Sequence, residues 1–114
     1  MTKLLIIFFG VALLIFSCKK EKAAAFVCTE EVSYSNEIRP LIEMNCTVSG
    51  CHDASAAGGY DFLSYEEVSS NADRILETIQ HGSGVSPMPQ GAGKLADSLI
   101  QKFYCWKENG TQNN

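Results

Sequence analysis

Five cysteines fall in a chain of 114 residues, and their positions constrain its fold more than any other feature. The first, Cys18, closes an apolar run from Leu4 to Phe16 that follows Lys3. A short basic start, an apolar stretch too brief for the roughly 20 residues of a membrane-spanning helix, and a small residue at its end read as an export signal over residues 1–17. An exported chain meets an oxidising compartment in which thiols rarely stay free, so each remaining cysteine needs a use. Removal of residues 1–17 leaves eight Lys and Arg against thirteen Asp and Glu, a mildly acidic product without the basic stripe that nucleic-acid binding requires.

The helical signals are short and separated by breakers. Residues 18–32 hold Lys19-Lys20-Glu21-Lys22 and an alanine run with no periodic apolar face, and suit a tether. The folded domain is expected over 33–110, with 111–114 as a tail. From Ser35 to Met44, apolar residues at 38, 41 and 42 predict a first helix, and Pro40 requires it to start close to Asn36, so that the missing N–H falls in the first turn. Residues 53–60 form a glycine-rich loop. Ser64 and Glu67 match a capping box that opens a short helix. Ala72, Ile75, Leu76 and Ile79, at i, i+3, i+4 and i+7, predict a one-sided helix stopping at Gly82. The glycines and prolines from 82 to 93 predict a loop carrying Met88 between Pro87 and Pro89. A last helix is expected from Asp97 as cap to Gly110, with Leu99, Phe103 and Trp106 along one face, Ile100 and Tyr104 beside it, and Cys105 on the polar side. No alternating strand pattern of useful length occurs, so the fold class is all-α.

The segment Cys46-Thr47-Val48-Ser49-Gly50-Cys51-His52 carries the chemistry. A cysteine followed directly by histidine, with a second cysteine upstream, is the pattern that attaches haem. The two thiols add to two vinyl groups at fixed separation, and adjacency of the second thiol and the histidine places an imidazole beneath the iron. The gap between the cysteines is four residues rather than the common two, and Gly50 supplies backbone freedom for the added residues to bulge outward. With Cys46 and Cys51 so used, Cys28 and Cys105 remain as an expected disulfide, worth on the order of 4 kcal/mol across so long a loop. Free thiols, or a metal held with other groups, are the alternatives for that pair.

Over residues 33–110 the chain resembles the cytochrome c family, in particular the small single-haem domains of exported bacterial lipoproteins. The resemblance rests on the helix leading into Cys46, the Cys51-His52 pair, Pro87-Met88-Pro89, Gly93-Lys94-Leu95 and Trp106. It implies about four helices wrapped around one covalent haem c, with Cys46 and Cys51 as anchors, His52 as one axial ligand and Met88 as the other. A thioether opposite an imidazole favours reduced iron, and iron held on both faces suits electron transfer to redox partner proteins rather than catalysis. His81, the other histidine, is the rival ligand; its structural reading is a helix-end residue near main-chain carbonyls. For Met88 the structural reading is flexible packing. Ile15-Phe16-Ser17-Cys18 resembles a lipobox, although Phe16 departs from the usual small residue, and this implies lipidation at Cys18 and a membrane anchor on the periplasmic side of a Gram-negative cell. The competing functions are a haem sensor or peroxidase-like protein with an open iron site, and a haem-free lipoprotein stabilised by two disulfides.

Overall fold

The computed structural model describes residues 25–114. The export run, Cys18 and the first part of the tether lie outside the described residues.

Ser33, not Ser35, opens the first helical segment, because its hydroxyl accepts the N–H of Asn36 at 3.3 Å while the carboxylate of Glu37 accepts its main-chain N–H at 3.1 Å. This is a capping box one residue longer than usual. The extra residue follows from the turn Tyr34–Ile38, which is widened: Ile38 N–H donates to Ser33 O at 3.2 Å, and Arg39 N–H donates to Tyr34 O. Regular helix α1 then runs Arg39–Asn45 with Pro40 in its first turn. The expected start near Asn36 is thus replaced by a wide turn from Tyr34 and an α-helix from Arg39. A proline ring clashes with the carbonyl four residues before it in a regular helix, and widening the preceding turn relieves that.

Helix α2, Tyr65–Ser70, begins where Ser64 Oγ accepts the N–H of Glu67 at 3.2 Å. After a break at Asn71 comes α3, Ala72–Ile79, which buries the four apolar residues its spacing marks. Helix α4, Asp97–Glu108, starts with Ala96 at the cap position. Asp97 is therefore the first helical residue rather than the cap, and its charge favours the positive end of the helix dipole. Among the described residues there is no strand, and no helix is long and apolar enough to cross a membrane. The all-α class holds.

Both the wide turn and α3 pack on α4. Ile38, Ile42, Val68, Ile100, Phe103 and Trp106 are fully buried between them. Tyr34 stands edge-on to Tyr65 at 5.0 Å and lies 5.6 Å from the Trp106 ring. The stretch 111–114, expected as a tail, is bound back onto this aromatic group. Tyr65 donates to Thr111 O, the indole N–H of Trp106 donates to Gln112 O, and the Asn114 side chain accepts the N–H of Tyr34.

Cys28 and Cys105 form a disulfide. Cys105 is 4% exposed, which corrects its assignment to a polar face. Helical spacing records only which side of α4 it lies on; the chain before the first helix covers that side. Phe26 packs 5.5 Å from Tyr104, Val32 is buried, and Gln101 donates to Val27 O. A free tether over 18–32 is therefore shortened, since from Phe26 onward the chain is tied to α4.

Candidate functional site

Cys46 caps the end of α1, its N–H donating to Ile42 O at 2.8 Å, and its side chain packs against the core. One residue further on, Val48 to Cys51 form a tight turn. Cys51 N–H donates to Val48 O at 2.9 Å, and Gly50, third in that turn, has φ +81°. Positive φ at this position is what makes glycine the fitting residue. Val48, Ser49 and Gly50 are exposed, as the outward bulge requires. His52 N–H then returns to Cys46 O at 3.0 Å. The enlarged gap is thus absorbed as one turn, and the two cysteines and the histidine stay together.

Asp53 braces the turn from the far side. One carboxylate oxygen accepts Gly50 N–H at 3.1 Å, and the other accepts both the hydroxyl and the N–H of Ser55. The bonds from Ser55, then the one from Gly50, hold its carboxyl below the usual range.

The two thiols are unpaired, whereas Cys28 and Cys105 are joined. Burial, and secondarily the neighbouring Cys51, push the Cys46 thiol up to about 11. Its sulfur is therefore a neutral, partly buried thiol near neutral pH.

His52 is half-buried, with Phe62 4.7 Å and Tyr60 6.2 Å from its ring. Its carbonyl accepts Phe62 N–H at 2.9 Å, and its Nδ1 lies 3.1 Å from Tyr60 O. A carbonyl only accepts, so Nδ1 carries the proton in the neutral ring and Nε2 keeps its lone pair. This is the orientation a metal-ligating histidine needs.

Met88 sits in the loop between α3 and α4, half-buried, its side chain packed against the same core that Cys46 touches. Its N–H donates to Thr78 O at 3.1 Å. His81 lies just beyond α3 rather than in its last turn, with φ +58°, and its Nε2 lies 3.2 Å from Met88 O. That nitrogen is the donor here, so the neutral His81 ring has the opposite tautomer to His52. The partners Tyr60, Asp53 and Thr78 escaped sequence reasoning. Only the density of turn-forming residues from 53 to 60 and from 82 to 93 signalled that something is held there.

Two thiols on one loop and an imidazole with a free Nε2 beside them are residue types that could hold a covalently attached haem, whereas Met88 shares with Cys46 only the common core and is tied by its main chain to Thr78 and His81. Compared with known protein families, curated proteins and solved structures, the chain has no match in any of the three.

Proposed function

We propose that this chain is a single-haem c-type cytochrome, an electron carrier rather than an enzyme, exported and anchored by lipid at Cys18 on the periplasmic side of a Gram-negative membrane. The observation that carries the reading is the setting of His52. Its Nδ1 is committed to Tyr60 O, its Nε2 is left basic, and two unpaired thiols lie on the same closed loop in a chain that pairs its other two described cysteines.

In this reading Cys46 and Cys51 hold the group by thioether bonds, His52 binds the iron through Nε2, and Met88 binds it through sulfur. The bound haem supplies one-electron redox chemistry at its iron. Tyr60 O keeps the His52 ring from turning and enriches its electron density. The rings of Phe62 and Tyr60 limit water beside it. The apolar side chains of Met44 and Val48, on either side of Cys46, are exposed and supply uncharged surface for a redox partner.

The test is the intact mass of the chain expressed with haem-maturation machinery, measured after denaturation. Addition of one haem, together with Soret absorbance, supports the reading. No added mass, with Cys46 joined to Cys51, would establish the haem-free lipoprotein instead. Added haem without a near-infrared methionine–iron band in the oxidised protein would mean an open iron position and a sensor or peroxidase-like role.

A further inference from the structure

Helix α3 ends in a motif that glycine ordinarily completes. His81 N–H donates to Thr78 O at 3.2 Å and Gly82 N–H donates to Glu77 O at 2.9 Å, the paired bonds of a Schellman end, in which the residue at position 81 takes left-handed φ. Histidine there is strained relative to glycine. What the histidine adds is its ring, and the ring Nε2 reaches Met88 O across six intervening residues. Met88 N–H is meanwhile bound to Thr78 O, so both main-chain polar groups of Met88 are tied to the end of α3. The residues between include Gly82 and Gly84, which on their own would not fix the position of Met88.

We propose that His81 is a positioning residue that clamps the Met88 main chain to the end of α3 and so presents the Met88 thioether to the iron. The proposal rests on the reading of Met88 as an axial ligand. It also gives the two histidines separate tasks, since His81 spends on Met88 the same nitrogen that His52 keeps free.

Three variants test it: His81→Ala, His81→Gln, whose side-chain amide keeps a donor, and His81→Gly, which relaxes the backbone but has no ring. Two readouts are independent of each other. In the haem-free full-length chain, hydrogen exchange of the Met88 amide is followed by NMR. In the haem-loaded protein, the methionine–iron band and the reduction potential are measured. His81→Ala should speed Met88 exchange roughly fivefold, as loss of one hydrogen bond allows, weaken the band and lower the potential. His81→Gln should recover part of each. His81→Gly should match or exceed the parent in urea stability and still behave as His81→Ala in exchange and band, which separates the ring from the fold. Unchanged exchange and band in His81→Ala, or parental values of both in His81→Gly, would overturn the clamp. A parent chain that takes up haem but lacks the band overturns the ligand reading and this proposal with it. A parent that takes up no haem overturns the functional reading, and exchange in the haem-free chain then decides whether His81 holds Met88 at all.

Discussion

The main-chain N–H of His52 donates to the carbonyl oxygen of Cys46 over 3.0 Å, so the first thiol and the imidazole are joined by the backbone even though five residues separate them. The turn inside this closure places Gly50 at φ +81°, and a Cβ built there meets no heavy atom within 4 Å. Gly50→Ala should therefore cost backbone strain alone, about 1 kcal/mol after the compensating loss of freedom in the unfolded chain. Urea unfolding of the parent and variant checks the value. A change below the error of the fit would mean that the turn does not hold Gly50 in left-handed geometry.

The raised Cys46 thiol has a direct chemical signature. In a haem-free Cys18→Ser, Cys51→Ser chain, Cys46 is the sole thiol outside the Cys28–Cys105 disulfide. Burial, the larger cause of its shift toward about 11, persists there, while the contribution of Cys51 is gone. Its rate of alkylation by iodoacetamide should climb about tenfold per pH unit from pH 8 to pH 10, because only the thiolate reacts. An exposed thiol levels off near its ordinary value of roughly 8.5. Levelling below pH 9 would show that Cys46 is open to water.

The disulfide joins positions 77 apart in sequence, and the segment it ties down also covers α4 through Phe26 and Val32. Cys28→Ala with Cys105→Ala should lower stability by about 2–5 kcal/mol, through restored freedom of the unfolded chain. Cys105 is buried and Cys28 exposed, so the two single variants should both lose the crosslink, but only Cys105→Ala adds a packing defect. Thermal unfolding of the three variants separates these effects, and equal melting temperatures for the two singles would remove the packing part.

The helices were legible where apolar spacing is strong: α3 buries Ile75, Leu76 and Ile79 and α4 buries Phe103 and Trp106 as their periodicity requires. On α4, however, it is Ile100, beside the marked face, that is fully buried, while Leu99 is only half-buried. Cys46, Cys51 and His52 were legible as a group because their relation is local in sequence. Three features were hidden because they depend on chain segments meeting. Cys105 is buried by residues far earlier in the chain, Tyr60 reaches His52 through a loop whose path no propensity describes, and His81 reaches Met88 only once the α3 end has turned it there. The wide turn at Tyr34–Ile38 is an intermediate case. Pro40 announces that a regular helix cannot run through it, but not whether the helix starts later or the turn opens.

Glu37 gives that wide turn a dependence on acid. Lys102 Nζ lies 3.0 Å from one of its carboxylate oxygens, and Ser33 N–H donates to the other at 3.1 Å. The bond to Lys102, then the one from Ser33, hold the Glu37 carboxyl below its ordinary value. In the unfolded chain the carboxyl returns to roughly 4.3. The stabilisation is therefore complete above that pH and is lost as pH falls through the lower folded value, because protonation in the folded state removes both bonds. Since the pair is partly exposed, the effect should be modest and should shrink with added salt. Urea midpoints measured from pH 7 to pH 3 should fall less steeply for Glu37→Gln than for the parent, with the two curves converging at the acid end. Parallel curves over the whole range would show that Glu37 does not couple the first helical turn to α4.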